Sequence, residues 1–122
     1  MSSTLVFVYG TLKRGLSNHR WLRGQTFLGE ARTVAGFRMF DLGGYPGMVL
    51  AEGEDGGVIE GEVWAVDAEG LRGLDKLEGV AEGEYAFDTV RLEGKWGEEE
   101  VKGYLYLRSV KGCPEVKGRW VE

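Results

Sequence analysis

Leu5-Val6-Phe7-Val8-Tyr9-Gly10-Thr11-Leu12-Lys13-Arg14-Gly15 is the stretch whose reading sets the fold. Leu5 to Val8 is a short apolar run with β-branched and aromatic content, which reads as a buried strand. The chain then turns at Gly10 and Gly15. A short helix is expected near Ser17 or Asn18, both good N-cap residues, carrying Trp21 and Leu22 inward. A strand, a glycine loop and a helix start point free backbone N–H groups at one spot, where a phosphate or carboxylate can sit.

Gly10 and Gly15 have the four-residue spacing of a Walker A loop. That motif then needs Lys followed by Ser or Thr, and Leu16 stands in the Lys position. The loop also lacks the Gly-x-Gly-x-x-Gly pattern of dinucleotide sites. Nucleotide binding is therefore disfavoured. A small-anion site and an ordinary strand-to-helix turn remain open on the loop alone.

Working outward, 122 residues suit one domain, 1–122. The 21 glycines follow no collagen-like period and read as turns and bulges of a strongly bent sheet. A formal net charge of −5 argues against nucleic acid, whose binding needs a positive surface. No apolar run approaches transmembrane length, and the N-terminus carries no basic region ahead of a hydrophobic segment. Cys113, the single cysteine, has no internal partner and lies between Gly112 and Pro114 in an expected turn. A reducing cytoplasm is the expected location. No membrane partner is expected, and the assembly expected is a monomer or weak homodimer.

Strands are expected at 26–32, 37–41, 47–51, 58–66, 85–92 and 101–107. Turns are expected at Gly43-Gly44-Tyr45-Pro46, at Glu54-Asp55-Gly56-Gly57 and around Gly94 and Gly97. In 58–66, Val58, Glu60, Glu62, Trp64 and Val66 share one face, a mixed set that predicts a strand whose surroundings change along its length. Tyr104 and Tyr106 share a face of the last long strand. Many strands, short turns and two helices argue for the α+β class and a small barrel or half-barrel.

The second helix is expected over 67–78, with Asp67 as N-cap and Gly79 as the stop. On a helical wheel Leu71, Leu74 and Leu77 form the apolar stripe, and Glu78 falls between Leu71 and Leu74, roughly 40° from its centre at ~100° per residue. An acid is thereby pointed inward. Burial raises a carboxyl pKa, which makes a glutamate a competent general base near neutral pH. A frayed, solvated helix end is the alternative. His19, the single histidine, has no catalytic partner in the sequence and is expected to be structural. Lys13 and Arg14 are candidates for steering an anionic substrate.

Val8-Tyr9-Gly10-Thr11-Leu12-Lys13-Arg14-Gly15, followed by Asn18-His19, resembles the N-terminal signature of the gamma-glutamylcyclotransferase-like family. It is most similar to the branch that includes gamma-glutamylamine cyclotransferases. Leu74-Asp75-Lys76-Leu77-Glu78-Gly79, with Tyr85 following, resembles that family's second signature, and Gly44-Tyr45-Pro46-Gly47 a third, weaker element. The resemblance implies a mixed β-barrel with short flanking helices and a pocket between the loop and Glu78. It implies that Tyr9, Gly10, Thr11, Leu12 and Tyr85 meet the substrate and that Glu78 is the catalytic acid/base. One segment departs from the family's pattern. Val80-Ala81-Glu82-Gly83-Glu84 intervenes before Tyr85, and Phe87 stands where a basic residue is expected. That departure leaves the expected catalytic centre intact and touches recognition of the leaving group.

The implied reaction is cyclisation of a γ-glutamyl amine or γ-glutamyl amino acid to 5-oxoproline with release of the free amine. The substrate's own α-amine is the nucleophile, which suits a chain without a Ser/His/Asp or Cys/His constellation. No metal and no cofactor are expected. The other reading is a non-catalytic module that holds a small anion in the same pocket.

Overall fold

Leu5 to Val8 lies inside the first strand, β1 (Thr4–Val8), of a computed structural model that describes residues 3–51 and 56–122. Residues Glu54 and Asp55 of one expected turn lie outside the described residues. β1 is apolar on consecutive positions because both its faces are covered. Phe7 belongs to one core with Met39, Met48, Val63 and Val101. Val6 and Val8 belong to a second core with Leu22, Trp64 and Leu74.

β1 pairs antiparallel with β5 (Glu60–Val66) and parallel with β7 (Val101–Tyr106). β2 (Thr26–Arg32) adds to the far side of β5, with a register shift between Phe27 and Gly29. Beyond β7 the sheet continues through β4 (Pro46–Leu50), β3 (Phe37–Asp41) and β8 (Glu115–Val116), while β6 (Tyr85–Thr89) also pairs with β7. β6 occupies one edge of β7 from Lys102 to Tyr106. The other edge is therefore shared, by β1 from Val101 to Gly103 and by β4 at Leu105. β1 and β4 diverge at that point, and the chain leaving β1 runs into the gap.

Thr33 after β2 bridges Leu92 after β6, and Phe37 bridges Gly57, so the mixed sheet curls into a half-barrel. The curl requires close backbone approaches. A Cβ on Gly61 would lie 2.3 Å from the Val8 carbonyl oxygen and 2.7 Å from the Phe7 ring. Gly61→Ala is expected to cost at least about 1–3 kcal/mol, the usual scale of overpacking. Its urea midpoint measures this, and an unchanged midpoint would contradict the packing.

The helix α1 (Ala68–Leu77) packs on the second core. The Asp67 side chain caps it by accepting from Gly70 N at 2.7 Å. Leu74 is fully buried against the sheet. At the other end Gly79 N donates to the Lys76 carbonyl and Val80 N to the Asp75 carbonyl, with Gly79 at φ +66°. This is the Schellman pattern that glycine makes accessible.

Several boundaries differ from those expected. The first helix is a single 3₁₀ turn, His19–Leu22, and neither Ser17 nor Asn18 caps it with its side chain. Ser17 Oγ donates to Glu122 and Asn18 Nδ2 to Thr11 Oγ1. Leu22 is buried but Trp21 is 38% exposed. Adjacent residues of a three-fold turn point about 120° apart, so both cannot face inward. β4 starts at Pro46, β5 at Glu60, and β6 stops at Thr89. Within β5 the mixed face changes surroundings as expected: Glu60 is exposed and Val66 is fully buried. β8, two residues long, had no expectation; a strand this short carries no periodicity.

Candidate active site

Where β1 and β4 part, a cavity of about 310 Å³ opens, at the small end of ligand pockets. One wall is the loop after β1. Gly10 passes so close to Pro46 that an added Cβ would sit 2.6 Å from its Cγ. The loop carbonyls are turned away and held. Gly10 O accepts from Lys13 N, and Thr11 O from Asn18 N at 2.9 Å. The Leu12 carbonyl lies 3.0 Å from His19 Nδ1, which must carry the proton for this contact. In a planar trans peptide the N–H points opposite to the preceding C=O. Fixing the Gly10 and Thr11 carbonyls therefore aims the Thr11 and Leu12 N–H groups the other way. The N–H groups of Gly10, Thr11 and Leu12 donate to no acceptor among the described residues, although all three residues are buried and line the cavity. Buried backbone donors are nearly always paired, so this cluster is a ready-made cradle for an oxyanion.

Glu78, the C-cap of α1, lines the same cavity. The Schellman bonds fix its backbone, so it is not frayed. Its carboxylate accepts no hydrogen bond from the described residues. Burial first, then the charge of Glu84, push its pKa up to about 7. Burial, followed by the charge of Glu78, also holds the Tyr9 phenol above its ordinary range.

Three of the tyrosines that line the cavity, Tyr9, Tyr85 and Tyr104, have their hydroxyls bound within the fold. Tyr9 Oη donates to the Tyr104 carbonyl at 2.7 Å and accepts from Met48 N at 3.1 Å. Tyr85 Oη donates to the Pro46 carbonyl at 2.7 Å. Tyr104 Oη donates to Asp75 Oδ1 at 2.7 Å. Tyr9 and Tyr85 thus offer a ligand their rings, and their hydroxyls tie β1 and β6 to β4. Tyr9→Phe strands a buried N–H and is expected to cost about 1–3 kcal/mol. Thermal unfolding reads that loss, and a cost near zero would show that neither bond matters.

All six expected site residues, Tyr9, Gly10, Thr11, Leu12, Glu78 and Tyr85, line this one cavity. Lys13 and Arg14 do not. Lys13 is buried, with Nζ donating to the Trp120 carbonyl at 2.7 Å. Arg14 pairs with Glu62 and lies over the Phe27 ring. Lys13 is thereby committed to the fold, while Arg14 stays half-exposed beside Glu62. His19 packs on Trp64, a structural role. Glu84 and Tyr104 also line the cavity without having been singled out as site residues. The shared face of Tyr104 and Tyr106 was a usable signal for one. Glu84 follows a turn, where no periodicity marks direction. Among the described residues no group of three or more His, Cys, Asp or Glu can hold a metal ion. Among them, too, no helix is long and apolar enough to cross a membrane.

Paired with an acid of near-neutral pKa, backbone donors in a small cavity can both hold an anion and move a proton beside it. The chain belongs to the gamma-glutamyl cyclotransferase, AIG2-like family, whose model matches residues 6–122. It is 46% identical over 86 residues to a Vibrio cholerae protein provisionally named a gamma-glutamylcyclotransferase, covering 70% of each chain. It is 32% identical over 91 residues to gamma-L-glutamyl-butirosin B gamma-glutamyl cyclotransferase of Niallia circulans, covering 72% of this chain and 56% of that one. A solved AIG2-like protein from Mus musculus matches with a TM-score of 0.77 at 25% identity, covering 97% of this chain and 88% of that one.

Proposed function

We propose that the protein converts a γ-glutamyl amine or γ-glutamyl amino acid to 5-oxoproline and free amine, with Glu78 as general acid/base and no cofactor. The observation that carries this reading is the placement of unpaired Gly10, Thr11 and Leu12 N–H groups and the raised-pKa carboxyl of Glu78 in one cavity. Family membership supports it.

The substrate's α-amine attacks its own γ-carbonyl carbon. A C–N bond to the α-nitrogen forms and the C–N bond to the leaving amine breaks. Glu78 takes the proton from the attacking nitrogen and gives it to the leaving nitrogen, so no water is consumed. The loop N–H groups hold the α-carboxylate or the oxyanion that develops on the γ-carbonyl. Ring closure draws on positioning, worth roughly 7–11 kcal/mol in well-oriented intramolecular reactions. The rings of Tyr9 and Tyr85 shape the walls that fold the chain. A small substrate and a site at work in the cytoplasm complete the proposal.

Mass spectrometry of 5-oxoproline released from a panel of γ-glutamyl amines and dipeptides tests it. Product is the expected result. A folded protein silent across the panel would overturn the enzymatic reading and favour a module that holds a small anion.

A further inference from the structure

Glu78 shares its cavity with four phenols. Its charge acts on Tyr9, Tyr45, Tyr85 and Tyr104, all of which line the cavity with it. The lining holds one other carboxylate, Glu84, whose charge opposes ionisation of Glu78. No Lys, Arg or His of the described residues lines it. A phenol O–H that donated to Glu78 would stabilise the charged form and pull its pKa down. No such bond is made among the described residues. Tyr9 and Tyr85 donate to the backbone carbonyls of Tyr104 and Pro46. Tyr45 is 41% exposed, so its hydroxyl can bond water. Tyr104 differs from the other three, because its acceptor is a side chain. That acceptor is Asp75 Oδ1 at 2.7 Å, on the helix that Glu78 caps and three residues before it.

A phenol has one proton to donate. While Asp75 accepts it, Glu78 cannot. Side chains three apart on a helix are neighbours, so the two carboxylates compete for the same donor. The Asp75 backbone is fixed as well, since its carbonyl accepts from Val80 N in the turn that seats Glu78. Resting on the acid/base reading of Glu78, we propose that Asp75 is a positioning residue. It holds the Tyr104 hydroxyl proton away from Glu78 and so leaves the Glu78 carboxyl unbonded, ready to exchange a proton with the substrate.

Titration of the Glu78 carboxyl tests this without a substrate. Its carbon is followed by NMR in protein labelled at glutamate Cδ and is identified by its absence from Glu78→Gln. In wild type the midpoint is expected at about 7. Asp75→Ala is expected to lower it by about one to two pH units, the shift that a hydrogen bond to a charged group produces. Tyr104→Phe, alone or combined with Asp75→Ala, is expected to titrate near the wild-type value, because no phenol proton is left to redirect. Asp75→Asn keeps an acceptor for the phenol and is expected to keep the midpoint. A wild-type midpoint in Asp75→Ala would overturn the proposal. So would a drop that persists in the double variant or appears in Asp75→Asn, since the lost Asp75 charge would then act on Glu78 directly. Where Asp75→Ala does not fold, Asp75→Ser, with a side chain too short to reach the phenol, takes its place. The same proteins are assayed for 5-oxoproline, and the acidic inflection of kcat/KM is expected to move with the titration. Should none of them yield 5-oxoproline, the cyclotransferase reading fails separately, and the titration still decides this one.

Discussion

Glu78→Gln is expected to lower kcat/KM for 5-oxoproline formation by about 10²–10⁴-fold, the span of general acid–base catalysis. The amide keeps the shape of the side chain but cannot carry the proton between the two nitrogens. In wild type, kcat/KM is expected to rise as pH climbs through about 7, where Glu78 ionises. The substrate's own amine steepens the rise by deprotonating in the same direction. An inflection at the ordinary glutamate value of 4.5 would contradict the assignment.

The same variant is expected to be more stable than wild type at neutral and alkaline pH. The folded-state pKa of Glu78 is raised above 4.5 to about 7. Between those values the native state holds a proton that the unfolded state has released, so wild-type stability falls as pH rises through the window. The difference is on the order of 2–3 kcal/mol above pH ~8 and vanishes below pH ~4. Urea unfolding of both proteins across that range checks the sign. A gain in stability paired with lost activity is the usual mark of a strained functional group.

Gly10→Ala is the second large effect. Its Cβ would meet Pro46 Cγ at 2.6 Å and Cδ at 2.9 Å. Real side chains do not approach that closely, so either the loop or the start of β4 must move. Movement of the loop misaims the N–H groups of Thr11 and Leu12. Loss of one preorganised oxyanion donor commonly costs 10²–10³ in kcat. A drop of about that size in kcat is expected, with a stability loss of about 1–3 kcal/mol from overpacking. Wild-type kcat in Gly10→Ala would show that the loop amides are not what holds the reacting oxygens.

How far the sequence reaches differs from element to element. The direction of Glu78 was legible because a helix repeats its geometry every turn, and three leucines define its inner stripe. The stop at Gly79 was legible because the Schellman bonds need a left-handed residue there, and φ +66° is observed. The two faces of β1 were legible as an uninterrupted apolar run. In each case the signal is local, and local sequence carries it.

Gly10 read as a turn residue, yet what demands glycine is contact with Pro46. Lys13 read as a cation to steer an anionic substrate, yet it is buried under the Trp120 carbonyl, 107 residues along the chain. Trp21 read as a core residue until the helix shortened to one turn. Composition, local periodicity and the order of turns determined the α+β class, the glycine loop and the inward acid. The tertiary structure decided that β1 and β4 share one edge of β7 and open a cavity between them. It also decided that Glu84 and Tyr45 join Glu78 in the lining. These are meetings of residues tens of positions apart, and no short-range pattern encodes which distant partners the chain will bring together.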